Sequence, residues 1–192
     1  MDHKGWYRRD LPHFDASNYT QFVTFRLADS LPQTTLDQMH EELKRDRKNL
    51  NEELVRRMEA HLDQGIGSCI LAEPKCAQVV QDSLIWLHER SFHLVAWVVM
   101  PNHVHFLAYI DEGQSLSKAL HSLKSFTGHE LKRLHPEHET VWQSESFDRY
   151  IRTEDHFLSR IQYIHENPVM ARLCDRAEDY PWSSASAKWN NP

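Results

Sequence analysis

The chain has 192 residues, 40% hydrophobic and 26% charged, with only 5 Gly and 8 Pro. This is globular composition with length for one domain and a real core, and it excludes a disordered, collagenous or repetitive chain. A formal net charge of −6 and a pI near 6.1 exclude a protein that grips nucleic acid by bulk electrostatics, so any such site must be local. No window reaches the ~18 uninterrupted apolar residues of a membrane span, and the opening MDHKGWYRRD lacks the apolar centre of a signal peptide, which points to a cytoplasmic protein with no membrane partner. Cys69, Cys76 and Cys174 are odd in number and form no CxxC, so they read as buried thiols rather than a disulfide framework or a zinc ribbon.

After a polar opening, YTQFVTFRLA carries Tyr19, Phe22, Val23 and Phe25 among β-branched neighbours and predicts a first strand. Leu36, Met39, Leu43, Leu50, Leu54, Met58 and Leu62 then recur three, four or seven residues apart, which predicts one long amphipathic helix over about 35–64, stopped by Gly65 and Gly67. Pro74 opens a second helix that puts Ala77, Val80, Leu84 and Leu87 on one face. FHLVAWVVM and HVHFLAYI predict two antiparallel strands turned at Pro101 and Asn102. A helix with Leu116, Leu120, Leu123 and Phe126 at helical spacing follows, then a short strand within 141–147 and a last helix over 153–167, started by Thr153 and Glu154 and stopped by Asn167-Pro168. Without the long helix, this order is a split β-α-β core. The fold class is therefore α+β, a ferredoxin-like antiparallel sheet with helices on one face. To it are added the long inserted helix and a C-terminal helix bearing Tyr163, in a single domain with tails at 1–17 and 168–192.

VMPNHVH, residues 99–105, poses the chemical question. With 14 histidines in the chain, roughly one His-x-His is expected by chance, so the spacing alone decides nothing. On a strand, however, His103 and His105 point to the same face, side by side. Such a pair either chelates one divalent ion, with a third protein ligand from elsewhere, or is satisfied by hydrogen bonds on a sheet face. Tyr163 and Asn167, in YIHENP, are four apart on the last helix and so one turn apart on one face. Asn167 offers a carbonyl oxygen and Tyr163 a phenol, which becomes a useful nucleophile only beside a cation. The competing reading is a packed tyrosine and an ordinary helix stop.

MPNHVHFL, VWQSESFDRYIR, RIQYIHENPV and YPWSSA, together with the early LPHFD and FVTFRLADSLP, occur in an order that resembles the single-tyrosine HUH transposases, IS200-like, and in particular their REP-associated tyrosine transposase branch. The resemblance runs over nearly all of the chain. It implies a ferredoxin-like fold, a Mg2+ or Mn2+ site, and cleavage of single-stranded DNA beside REP-like hairpins, leaving a 5′-phosphotyrosine and a 3′-OH that allows rejoining. On this resemblance the metal ligands are His103, His105 and Asn167, and the nucleophile is Tyr163. The chain departs from the branch at NPVMARLC, where the branch tends to read NPVKAGLV, so Met170 stands in place of a lysine and Arg172 in place of a glycine.

The local basic site that the acidic total requires is sought in Lys118, Lys124, Lys132 and Arg133 with His121 and His129, and Lys124 is the expected phosphate contact. Arg149 and Arg152 in FDRYIR either bind hairpin phosphates or pair with Asp148 and Asp155. Arg8 and Arg9 accompany the aromatics Trp6, Tyr7, His13 and Phe14 in a tail that either contacts DNA, by stacking on unpaired bases or lying in a groove, or packs against the sheet. Tyr150 is the rival nucleophile, without a metal-capable residue one turn away. The long helix is read as ordinary packing. Two other function classes stay open: a hairpin-DNA binder that no longer cleaves, and a metal-dependent hydrolase using water. The pattern does not distinguish a monomer from a homodimer.

Overall fold

The computed structural model describes residues 6–8, 12–14, 17–46 and 50–190, and of these 6–8, 12–14, 44–46, 50–52 and 190 by backbone alone. Arg9 therefore lies outside the described residues, as does the side chain of Arg8. A short antiparallel ladder, β1 (Trp6–Arg8) with β2 (Pro12–Phe14), stands where an N-terminal tail was expected.

The main sheet has four strands, β3 (Tyr19–Arg26), β4 (His93–Val99), β5 (His103–Ile110) and β6 (Phe147–Tyr150), in the order β4-β5-β3-β6 and antiparallel throughout. β4 and β5 turn at Pro101 and Asn102, as the sequence predicts. The fourth strand begins at Phe147, where the expected one ended, and Trp142 reaches the sheet only through a single bridge to Leu27.

Strand alternation sorts the side chains into two layers. Val23, Phe25, Val104, Phe106 and Ala108 face one layer, where α3 (Pro74–Leu87) and α4 (Leu116–Leu134) bury Ala77, Val80, Leu84, Leu116, Leu120, Leu123 and Leu131. Replacing Leu84 by alanine would cost about 2–5 kcal/mol, as for any fully buried leucine. Pro74 opens α3 and the Ser115 hydroxyl accepts from the Lys118 amide to cap α4. Phe126, assigned to the buried stripe of α4, is instead 59% exposed; Thr127 and Leu131 fill the inner face.

Phe22, Ala96, Val98 and Leu107 face the other layer, together with His103 and His105. The segment read as one helix over 35–64 is two helices, α1 (Gln33–Asp46) and α2 (Leu50–Leu62). Arg57 and Glu42 pair at 2.8 Å, whereas fifteen residues of straight helix would separate them by about 22 Å. The chain therefore folds back. Periodicity survives this correction because each helix keeps its own stripe: Leu36 and Leu43 from α1, and Leu54, Val55, Met58 and Leu62 from α2, enter the same core. Gly67 closes the excursion at φ 99°, where a Cβ would lie 3.0 Å from the Asp29 side chain.

The last helix, α5 (Glu154–Met170), also packs on this second layer and starts as predicted, with the Thr153 hydroxyl accepting from the His156 amide. Its end differs from expectation. Pro168 gives up one amide donor but the helix runs through it, with Ala171 N donating to Asn167 O at 2.9 Å. The stop comes at Arg172, which is left-handed at φ 58°, with Leu173 N donating to Pro168 O (2.8 Å) and Arg172 N to Val169 O (2.9 Å). The residues beyond cover the edge of β4, through Val99 N to Trp182 O (2.8 Å) and Ser184 N to Trp97 O (2.9 Å). Among the described residues no helix is long and apolar enough to cross a membrane.

Candidate active site

β5 begins at His103, so the Asn102 turn residue and the two histidines are placed by the same hairpin. The Asn102 amide nitrogen donates to Leu62 O (3.1 Å) and Ile66 O (2.9 Å), which ties the end of α2 to the sheet. Its oxygen is thereby turned to His103 Nδ1 at 2.7 Å and must accept from it. That assignment leaves His103 Nε2 with a lone pair. Thr24 Oγ1 lies 2.7 Å from His105 Nδ1 and can hold the second ring in the same tautomer.

The two Nε2 atoms are 3.0 Å apart and both side chains are fully buried. Burial pushes the His103 pKa down to about 3 and that of His105 well below the ordinary value, so both imidazoles are uncharged near neutral pH. Two neutral nitrogens this close either share one proton between them or face one cation.

α5 brings Tyr163 and Asn167 to the same place. The Tyr163 ring lies edge-on to His105 at 5.3 Å and to Phe22 at 6.0 Å. Phe22 stacks on His105 at 5.4 Å, closing one wall. α2 supplies the roof: Asp63 Oδ1 is 3.8 Å from His103 Nε2, and Glu59 lies one turn earlier.

Five buried polar atoms in this space lack a hydrogen bond of good geometry, although Asn167 lies close enough to Asp63 and Tyr163 to act on both: Glu59 Oε1, Asp63 Oδ1, Tyr163 Oη and both amide atoms of Asn167. Each such atom ordinarily costs about 1–3 kcal/mol, so their concentration beside two histidine lone pairs is the signature of a site built for something else. Nitrogen lone pairs with carboxylate and amide oxygens suit a divalent cation, so the donor set fits the Mg2+ or Mn2+ that the sequence resemblance implies.

The electrostatics agree. Burial raises Glu59 to about 7, with Asp63 adding to the rise and Arg160 and Arg149 opposing it. Burial likewise raises Asp63 to about 6, against the pull of the Asn167 amide. The Tyr163 phenol is pushed well above its ordinary value by burial, then by Glu59 and Asp63, so it stays protonated without a cation.

The structure therefore gathers His103, His105, Tyr163 and Asn167. It places Tyr150 elsewhere: Tyr150 pairs with Gln21 on β3, three residues from Thr24, which puts it roughly 10 Å along the strand and on the opposite face. Arg149 pairs with Phe22 and so shares the face of the site, whereas Arg152 is exposed with its guanidinium 4.8 Å from the centre of the Tyr150 ring. Lys124 is not at the histidines. Its ammonium donates to Gln143 O (2.5 Å) and Ser144 O (2.8 Å), and burial followed by Arg26 lowers its pKa to about 8. With Lys132, His121 and His129 it lines an open groove of about 730 Å³ between α4 and the 139–148 segment.

Four functional side chains escaped the sequence reading. Arg160 stands three residues before Tyr163, with its guanidinium 5.0 Å from the centre of the Phe22 ring and 5.6 Å from that of Tyr163; this one-turn spacing was legible. Glu59 and Asp63 sit on a helix whose placement only the tertiary fold settles, and Asn102 looked like a simple turn residue.

Residues 74–167 match the family described as Transposase IS200 like, a span that holds both histidines, Tyr163 and Asn167 but not Glu59 or Asp63. The REP-associated tyrosine transposase of Escherichia coli (strain K12) is 27% identical over 97 residues, which are 50% of this chain. The match spans little more than half of that relative, 56% of its length. A solved structure of the REP-associated tyrosine transposase bound to a REP hairpin superposes with a TM-score of 0.60 at 19% identity, covering 93% of this chain and 81% of the other. That likeness carries the fold.

Proposed function

Residues 74–167 match the IS200-like transposase family, and from that premise we propose that the chain belongs to it and that it cleaves and rejoins single-stranded DNA beside REP-like hairpins, in the cytoplasm, by attack of Tyr163. One observation carries the reading: the unpartnered Tyr163 hydroxyl sits in the same buried space as two converging histidine nitrogens.

His103 Nε2, His105 Nε2, the Asn167 carbonyl oxygen and the Asp63 carboxylate would hold Mg2+ or Mn2+, which supplies polarisation of the scissile phosphate and stabilises phenolate character. Tyr163 Oη attacks phosphorus in line, the O3′–P bond breaks, and the products are a 5′-phosphotyrosine and a strand ending in 3′-OH. The phenol proton passes to Glu59, whose raised pKa makes it a competent base near neutrality, and the departing 3′-oxygen takes up a proton in turn, from Glu59 or from solvent, to become the 3′-OH. Arg160 holds the tyrosine ring and, with Arg149, offsets negative charge as the phosphate arrives. Reversal of the same step with a new 3′-OH rejoins strands. Because the histidines and the Tyr163 oxygen are enclosed, DNA entry requires α2 to withdraw.

Hairpin phosphates would be met by the groove of α4 and Arg152, which lie outside the site, and by Arg8 and Arg9. The test is incubation with labelled single-stranded hairpin DNA and Mn2+, then denaturing electrophoresis. A protein-linked band that chelator removes supports the reading. Cleavage without a protein-linked band would mean attack by water, and retained hairpin with neither product would leave a DNA binder that does not cleave.

A further inference from the structure

On the opposite face of the sheet from Tyr163, a second group of ligand-type side chains joins the start of α3 to the end of α4. Glu73 precedes Pro74 as the N-cap of α3, Cys76 lies in its first turn, and His135 is the C-cap of α4. One ligand atom from each of the three lies within 4.8 Å of the others. The transposase chemistry uses none of them.

The arrangement of His135 is what separates this cluster from a chance meeting. Its Nδ1 is 3.1 Å from Glu137 Oε1, so in the neutral ring Nδ1–H donates to the carboxylate and Nε2 keeps its lone pair. Its Nε2 is buried, makes no hydrogen bond, and lies 3.4 Å from Glu73 Oε1. Two acceptors at that separation face each other with nothing between them. Metal-bound histidines characteristically hand their other ring N–H to a carboxylate in this way. A tetrahedral ion with nitrogen and oxygen ligands each at about 2.0–2.1 Å holds those ligands about 3.3–3.4 Å apart, which matches the observed gap.

We infer that Glu73, Cys76 and His135 form a zinc site that cross-links the start of α3 to the end of α4, with Glu137 orienting the histidine and water in the fourth position. The donor set selects the metal. A thiolate with an imidazole suits zinc and disfavours the hard Mg2+ or Mn2+ of the tyrosine site, so the chain would hold two ions of different class. Cys76 is buried, whereas the Glu73 side chain is 60% exposed and opens the path for the ion and the water. Binding replaces the thiol proton: S–H becomes S–Zn, and the proton leaves to solvent.

The test uses the full chain with Cys69→Ala and Cys174→Ala, so that Cys76 is the single thiol, and Co2+ as a spectroscopic stand-in for zinc. One equivalent of Co2+ is expected to give a thiolate-to-cobalt charge-transfer band, bleached by one equivalent of Zn2+ and unchanged when His103→Ala and His105→Ala are added. His135→Gln, at the surface end of α4, should abolish the band while circular dichroism shows the fold intact, and Cys76→Ser should do the same. Glu137→Gln should weaken binding about 10–100-fold. In the His103→Ala, His105→Ala background, where the tyrosine site is removed, Zn2+ should raise the melting temperature, and adding His135→Gln should abolish that rise. Absence of the band at stoichiometric Co2+, or its persistence in His135→Gln, overturns the assignment and leaves His135 as a side chain lodged between two carboxylates.

Discussion

Glu59 offers the sharpest quantitative check on the geometry of the site, because its charge is held where solvent barely reaches. Its pKa in the folded protein is about 7 against an ordinary 4.5, and burial is the main cause. The native state therefore binds more protons than the unfolded chain between those values, and stability must fall as pH rises through that window. A difference of about 2.5 units corresponds to roughly 3 kcal/mol, full below pH 4.5 and gone above pH 7. Glu59→Gln keeps the shape and removes the titration. In chelator, the variant should lose that part of the pH slope and be more stable than the parent at pH 8 by up to about 3 kcal/mol, or roughly 6–12 °C in melting temperature for a domain of this size. The assay is denaturant unfolding of both proteins from pH 4.5 to 8.5, comparing the difference between them, which holds the Glu59 titration together with its coupling to Asp63. Parallel profiles would refute both the burial of this carboxylate over Tyr163 and its role as proton acceptor.

Three further outcomes follow from particular contacts. Tyr163→Phe removes a buried hydroxyl that has no partner, so thermal unfolding should find it unchanged or stabilised by about 1 kcal/mol while hairpin binding survives and the covalent adduct is lost. Asn102→Ala leaves the carbonyls of Leu62 and Ile66 without their donor and His103 Nδ1 without its acceptor; a loss of about 2–3 kcal/mol on unfolding and Mn2+ binding weakened about 10–100-fold, read by calorimetry, are expected. Arg172→Gly relieves a side chain held at φ 58° where the family resemblance expects glycine, and should stabilise by about 0.5–1 kcal/mol with DNA binding unaltered.

How far the sequence was legible depends on whether a signal was local. Strand alternation put His103 and His105 on one face, and the four-residue spacing put Tyr163 and Asn167 on another; the structure brings those two faces together. The hairpin turn, the Thr153 cap and the stripes of α3 were likewise written into neighbouring residues. What could not be read was where the 35–64 segment goes. Leu36 to Leu62 carries a stripe that fits one long helix as well as two that fold back, and tertiary contacts such as the Glu42–Arg57 pairing distinguish them. Its reading as mere packing missed Glu59 and Asp63, because a carboxylate on an amphipathic helix looks like solvated surface until the sheet it covers is known. Lys124 shows the converse. Its position in a basic run suggested a phosphate contact, whereas its ammonium is taken up by two backbone carbonyls of the segment before β6.

The most direct measurement is mass spectrometry of the peptide that stays linked to a single-stranded hairpin DNA after incubation with Mn2+ and proteolysis. The expected product is a 5′-phosphate ester on Tyr163, absent with chelator and in His103→Ala. A linkage mapped to Tyr150, or one formed equally well without His103, would contradict it.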